Sequence, residues 1–82
     1  MNRRYWDEPV TIETLTLGRY QSVSSAAEAA RILLEEWPVD EGEAYLAAKA
    51  ACLLALEDKA TPENARGAFL AAAIEAGMFV RA

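Results

Sequence analysis

Apolar and polar residues alternate in the first part of the chain and recur at helical spacing in the rest. Val10 to Glu13 and Arg19 to Val23 alternate in the way that is typical of strands with one face exposed to water. Gly18 lies in the connection between them, where a hairpin loop needs a residue that tolerates a positive φ. The pattern therefore predicts a β-hairpin.

The same alternation predicts how the two strands pair. If Ile12 lies opposite Tyr20, then Glu13 lies opposite Arg19, and these two side chains form a cross-strand ion pair. In this register one face of the hairpin carries Val10, Ile12 and Tyr20. The other face is polar, so we expect it to face water.

The chain has 82 residues, which is enough for one small domain, and we place this domain at residues 9–82. Residues 1–8 show no periodicity, and we expect them to form a flexible N-terminal arm that Trp6 anchors. Of the 44 apolar residues, 18 are alanine, which favours helices but contributes little buried area per residue. The core is therefore expected to be thin.

Three helix-start signals follow the hairpin. Ser25 and Glu28 have the spacing of a capping box, in which the serine hydroxyl accepts from the backbone near the glutamate while the glutamate reaches back. They predict a first helix over residues 26–36, which Pro38 prevents from continuing. Trp37, at the end of this helix, is expected to pack in the core.

The second helix is predicted to begin after an N-cap at Asp40 and to reach about Asp58. Between Ala44 and Leu56 it carries a single charge, at Lys49. A helix that is apolar on all sides is normally buried. We therefore expect this helix to be the central and most buried of the three.

The third helix begins at Thr61 and Pro62, with a cap and a first-turn proline, and ends at Gly77. Residues 78–80 are apolar, so they either pack on the core or add a third strand beside the hairpin. The predicted fold class is α+β: a β-hairpin packed on three α-helices in the order ββααα(β). The brackets mark the C-terminal third strand as one of these two alternatives.

Seven features carry a resemblance to a known family: residues 9–12 (PVTI), 18–20 (GRY), 23–25 (VSS), the Trp37-Pro38 step, Cys52 within an Ala/Leu helix, residues 62–69 (PENARGAF) and residues 73–80 (AIEAGMFV). In this order and spacing they resemble a small bacterial family, domain of unknown function 982. The resemblance covers nearly the whole chain. It strengthens the predicted fold and implies no activity, cofactor or catalytic residue.

Thirteen acidic residues against eight basic ones give a net charge of −5. This charge repels phosphate backbones and anionic lipid, so we expect neither nucleic acid nor a membrane as a partner. The apolar runs are also shorter than the roughly 18 residues of a membrane span. A single cysteine, Cys52, excludes an intramolecular disulfide and is typical of the reducing cytoplasm, where we expect the protein to act.

The absence of histidine is the main indication about chemistry. It excludes Ser–His and Cys–His nucleophile pairs and zinc sites with nitrogen ligands. Cys52 lies in the middle of an apolar helix, where we interpret it as a buried thiol. The acidic residues around Trp37 and Pro38 do not have the spacing of a calcium loop. We therefore expect no catalytic residue, no cofactor and no metal; an enzymatic role stays open but is disfavoured.

Five side chains are the candidates for contact with a partner: Trp6, Arg19, Tyr20, Trp37 and Arg66. Tryptophan and arginine are enriched where proteins bind one another. Each candidate also has a structural interpretation. Trp6 and Trp37 can cover the core, Arg19 can pair with Glu13, and Arg66 can pair with Glu63 three residues before it.

The function that these observations favour is a small non-enzymatic interaction or regulatory module that acts through protein–protein contacts. Its partner is another protein or a second copy, which could pair with an exposed edge of the hairpin. The alternative is a small-ligand-binding domain or a minor enzyme with a pocket between hairpin and helices, near Tyr20 and Trp37.

Overall fold

The protein has an α+β fold, seen in a computed structural model that describes residues 5–13, 18–38, 41–78 and 80–81. The elements are β1 (Tyr5–Glu13), β2 (Tyr20–Ser25), α1 (Ala26–Glu35), α2 (Glu43–Leu56), α3 (Pro62–Glu75) and β3 (Val80–Arg81). This is the predicted order ββααα(β), with the third strand present. Asp40, residues 1–4 of the predicted arm and Phe79 of the C-terminal segment lie outside the described residues.

The three strands form one antiparallel sheet in the order β2-β1-β3. β3 pairs with the end of β1, where Val80 lies opposite Ile12 and Arg81 lies opposite Thr11. The C-terminal segment therefore adds a strand to the hairpin, and β1 becomes the central strand. Among the described strands, β2 and the two-residue β3 form the edges of the sheet.

The pairing of β1 with β2 differs by one residue from the predicted register. Glu13 lies opposite Tyr20, and Val10 lies opposite Val23, so the predicted pairing of Ile12 with Tyr20 is wrong. The observed register fully buries Val10, Ile12 and Val23, whereas Tyr20 is 57% exposed. Because side chains alternate between faces, a shift of one residue exchanges the buried and exposed sets of a strand. Val23 thus joins Val10 and Ile12 on the core face, in place of the tyrosine.

Glu13, the last residue of β1, forms a hydrogen bond with Gly18, which lies just before β2. Its Oε2 accepts a hydrogen bond from the backbone N–H of Gly18 at 3.0 Å, and Gly18 has the predicted positive φ, of 80°. The residue opposite Glu13 is Tyr20, not Arg19 as the predicted register had it. The glutamate therefore acts locally, at the entry to the loop.

β1 begins at Tyr5, so residues 5–8, which the sequence places in a flexible arm, belong to the sheet. Pro9 has no N–H to donate to a neighbouring strand, and the pairing is irregular between Tyr5 and Val10. Trp6, within this irregular stretch, is 95% buried and belongs to the core cluster. Burial of this large ring gives the early start of the strand a physical reason.

α1 begins with the predicted capping residues. Ser25 Oγ accepts a hydrogen bond from the backbone N–H of Glu28 at 3.2 Å, while Glu28 Oε1 accepts from the N–H of Ser24 at 3.1 Å. The glutamate thus reaches one residue further back than a standard capping box requires. The helix ends at Glu35, where Arg31 forms ion pairs with both following glutamates, at 3.7 Å to Glu35 and 2.7 Å to Glu36.

α2 is shorter at both ends than predicted. Its N-cap is Gly42, so Asp40 is not the capping residue. At the other end the helix stops at Leu56, and Asp58 takes a positive φ of 61°. The N–H of Lys59 then donates to the carbonyl of Leu54 at 2.8 Å, which satisfies a helix-end acceptor.

The largest fully buried side chains of the core are Phe69, Ile12, Ile32, Leu33, Val10, Val23 and Cys52. β1 packs against α3 and β2 against α1, while the main contacts of α2 are with α1 and α3. α2 is therefore the central helix of the three, as predicted. It is not the most buried one, because four of its 14 residues are buried, against five of the ten in α1. None of the described helices is long and apolar enough to cross a membrane.

Candidate interaction surfaces

Four aromatic rings form a row through the core. Trp6 packs on Phe69 with ring centroids 5.9 Å apart, Phe69 packs on Trp37 at 5.5 Å, and Trp37 stacks on Tyr45 at 6.3 Å. Such tilted and stacked contacts are the geometries that aromatic pairs prefer. The row joins β1, α3 and α2. Its two tryptophans each line a cleft at the surface.

The first cleft brings together two of the predicted contact residues, Trp6 and Arg66, with Asp7, Glu8 and Glu63. Arg66 Nε donates a hydrogen bond to the Glu8 carbonyl at 2.8 Å, and its guanidinium lies 3.9 Å from the Glu8 carboxylate. The predicted pairing of Arg66 with Glu63 is therefore wrong. Glu63 stands in the first turn of α3, where the helix dipole favours a negative charge.

Trp6 contributes an unusual polar group to this region. Its Nε1–H is buried and has no hydrogen-bond partner among the described residues. Buried donors are nearly always paired, because leaving one unpaired costs roughly 1–3 kcal/mol. The cleft beside it has a volume of about 380 Å³.

The second cleft is lined by Trp37, Glu41, Gly42, Glu75 and Ala76. Glu75, the last residue of α3, supplies the N-terminal cap of α2. Its Oε2 accepts from the N–H of Ala44 and its Oε1 from the N–H of Tyr45, each at 3.1 Å. A Cβ on Gly42 would collide with this carboxylate. Glycine therefore stands where the carboxylate must approach the backbone closely.

Arg19 and Tyr20 lie apart from both clefts, in the hairpin. Tyr20 lies opposite Glu13 and is exposed on the face of the sheet turned away from the core. Trp37 packs on the core side, against Phe69. The predicted contact residues therefore occupy three places, and neither of the two clefts described above is lined by both Tyr20 and Trp37.

No group of three or more histidine, cysteine, aspartate or glutamate residues is placed to hold a metal ion in the described ranges. Burial raises the pKa of the Cys52 thiol to about 11, so near neutral pH it is protonated. A protonated, buried thiol is a weak nucleophile.

The surface that sequence analysis missed is on α2. We define its outer face as five exposed residues that share one side of the helix: Leu46, Ala47, Ala50, Leu53 and Leu54. Leu46 is 57% exposed, Leu53 47% and Leu54 42%. Leu34 on α1 and Ile74 on α3 are also exposed. Among the described residues, neither has a second exposed large apolar residue on its own helix.

Helical spacing carries a signal for this surface. Tyr45, Ala48 and Cys52 follow one another at intervals of three and four residues and form the buried stripe of α2. Leu46, Ala50 and Leu53 repeat at the same intervals on a second stripe. An apolar helix with two such stripes can bury only one against a single neighbouring layer, so the second is left exposed.

Charged side chains lie at both ends of the outer face. Glu43 lies at the N-terminal end and Glu57 follows the C-terminal end, both exposed and both on the same side of the helix as Ala50. Lys49 lies to the side, with its Nζ 5.2 Å from the centre of the Tyr45 ring. The outer face is thus an uncharged strip between two acidic ends.

A family model described as "Protein of unknown function (DUF982)" matches residues 8–80 of the chain. No curated protein and no solved structure matches it.

Proposed function

The chain belongs to the DUF982 family, whose description assigns no function, and we propose that it is a non-enzymatic interaction module that binds another protein through the outer face of α2. The observation that carries this proposal is that three leucines, Leu46, Leu53 and Leu54, are exposed on one side of α2 together with two exposed alanines. Leucines exposed singly are ordinary on protein surfaces, whereas a contiguous apolar patch bounded by polar residues is typical of a binding surface.

The energetics of burial support the same surface. Removing apolar area from water contributes roughly 25 cal/mol per Å². About half of the surface of each of the three leucines of the outer face is exposed to solvent and could be buried by a partner. A partner helix placed along α2 would cover all three at once, which is the arrangement of helix-in-groove recognition.

The edge of the sheet offers a weaker docking surface. β2 is the longer exposed edge, but Glu28 already accepts a hydrogen bond from the backbone N–H of Ser24 on this strand. The opposite edge, β3, has only two residues. An added strand would therefore find one N–H of β2 already occupied, or only two residues of β3 to pair with.

We also propose that the protein acts in the cytoplasm, because its one cysteine is a buried free thiol, as is usual in a reducing compartment.

A direct test compares two leucine-to-serine substitutions with a matched control elsewhere. Leu46→Ser and Leu53→Ser change the outer face, and Ile74→Ser changes an equally exposed residue of α3. Each tagged protein is incubated with lysate of the source organism, the retained proteins are identified, and the main one is purified for a binding measurement. The proposal predicts binding by wild type and Ile74→Ser and its loss in both leucine variants. Equal binding by all four proteins would contradict it.

A second candidate function is binding of a small acceptor-bearing ligand in the cleft beside Trp6. It is favoured by the guanidinium of Arg66, which lines this cleft beside Trp6 and carries several N–H donors. A cleft of about 380 Å³ is within the size range of small-molecule sites. Because three acidic side chains also line the cleft, the test is a thermal-shift screen of uncharged metabolites with carbonyl or hydroxyl acceptors. A ligand at 100 times its Kd stabilises by about 2.7 kcal/mol. A shift that persists in Arg66→Ala would count against this site.

A further inference from the structure

We infer that the partner contributes a basic amphipathic helix, with an apolar stripe that covers the outer face of α2 and lysine or arginine residues at its two ends. This inference rests on the proposed function and adds the chemistry of the partner. Charge complementarity carries it, because the outer face is neutral along its length and acidic at both ends.

The N-terminal end of α2 concentrates negative charge. Glu43 is exposed in the first turn, Glu41 is exposed just before the helix, and the Glu75 carboxylate caps the helix. The helix dipole offsets part of this charge, but the Glu75 cap already occupies two of the free N–H groups. A basic side chain of a partner would therefore be attracted to this end.

The C-terminal end is also acidic. Glu57 and Asp58 are exposed, and Lys59 lies 3.6 Å from Glu57. One lysine against two carboxylates leaves this end with a net negative charge. The carbonyl groups at the end of α2 have the same sign, since the C-terminus of a helix is the negative end of its dipole.

The same charges disfavour a second copy of the chain as the occupant. An antiparallel copy centred on Ala50 would place Glu43 of each chain against Glu57 of the other, because each glutamate is seven residues from Ala50. A parallel copy would place each glutamate against its own counterpart. Both two-fold arrangements bring like charges together, which opposes association.

The shape of the outer face suits a helix. Ala50 is small and lies between the larger side chains of Leu46, Leu53 and Leu54, and Ala47, also small, lies on the margin. Small residues flanked by large ones form a depression that receives a side chain from the facing helix. A partner with leucine-like residues at helical spacing would fill it.

Site-specific photo-crosslinking tests the inference. p-Benzoylphenylalanine is placed at Ala47, on the margin of the outer face, and as a control at Ala71, an exposed alanine of α3. After irradiation in lysate of the source organism, the crosslinked peptide is sequenced. The expected product at Ala47 is a segment of another protein that has helical apolar spacing and a net positive charge, with no such product at Ala71.

The other outcomes separate the two proposals. A crosslink at Ala47 to a second copy, or to a segment without net positive charge, would overturn the inference and leave the interaction module intact. Products at Ala71 alone, or no product at either position, would overturn both proposals.

A binding measurement with the identified segment, as a synthetic peptide, tests the charge argument. Glu43→Gln with Glu57→Gln should raise Kd by roughly 2- to 30-fold, the range expected for two exposed ion pairs. Glu63→Gln, at the start of α3, is the control and should leave Kd unchanged. An unchanged Kd in the double variant would overturn the inference even if the outer face still binds.

Discussion

Glu75 caps α2 from a distant part of the chain: its Oε1 accepts a hydrogen bond from the backbone N–H of Tyr45, thirty residues earlier, at 3.1 Å. This contact joins the end of α3 to the start of α2. It fixes the N-terminal end of α2. In the same turn, the phenol of Tyr45 donates a hydrogen bond to the Leu33 carbonyl of α1 at 3.0 Å. α2 is thus tied to both neighbouring helices, and this orientation leaves its outer face exposed.

Replacing Gly42 with alanine should destabilise the protein by about 1–3 kcal/mol, the cost of a non-glycine residue in such a backbone conformation. Gly42 has a φ of 120°, and the new Cβ would also meet the Glu75 carboxylate. Gly67→Ala is the control, because Gly67 lies in α3 with open space around it. It should stabilise by about 0.5–1 kcal/mol. Urea unfolding measures both, and equal effects would contradict this account of Gly42.

Removal of the cap itself should have a smaller effect. Glu75→Ala leaves the N–H groups of Ala44 and Tyr45 without their acceptor. Loss of an N-terminal cap costs about 0.5–2 kcal/mol. Glu41→Ala removes the same charge from the same cleft without removing a capping hydrogen bond, and it should change stability by less than about 0.5 kcal/mol. A similar loss in both variants would assign the effect to charge alone.

These contacts show which features local sequence could predict. Ser25 and Glu28, three residues apart, predicted the start of α1 because their hydrogen bonds form within one turn. The cap of α2 could not be found in the same way, since Glu75 is distant along the chain and becomes a neighbour only after folding.

The two errors in packing have a common cause. Tyr20 and Val23 are both acceptable on an apolar face, so alternation alone did not distinguish registers one residue apart. α2 is apolar on all sides, so its composition did not show which stripe is buried. Long-range packing decides both the strand register and which stripe of α2 is buried. The outer face could not be predicted from local sequence for that reason.

The hydrogen bond from Tyr45 to α1 should be measurable by itself. Tyr45→Phe removes a buried donor and leaves the Leu33 carbonyl without this partner, which should cost about 1–3 kcal/mol. Tyr5→Phe is the matched control, because Tyr5 is 59% exposed. Its effect should stay within about 0.5 kcal/mol. Thermal unfolding of the two variants compares them, and equal shifts would argue against a stabilising role for this hydrogen bond.

Cys52 predicts a pH dependence of stability. Burial raises the pKa of its thiol from 9.0 to about 11, so between these values the unfolded chain loses the proton and the folded chain keeps it. The contribution of Cys52 to the free energy of unfolding is therefore complete below pH 9 and decreases as the pH rises towards 11. Cys52→Ala should lack this decrease. Urea unfolding at a series of pH values tests it, and parallel pH profiles for the two proteins would contradict the prediction.

The location of the docking surface is the central claim, and nuclear magnetic resonance of the complex tests it most directly. The ¹⁵N-labelled protein is titrated with the purified partner, and the amide signals are followed. We predict shifts or broadening concentrated at Leu46, Ala50 and Leu53, with the signals of Ser22 on β2 and Ala71 on α3 unchanged. Changes confined to β2, or to the cleft beside Trp6, with α2 unaffected would contradict the claim.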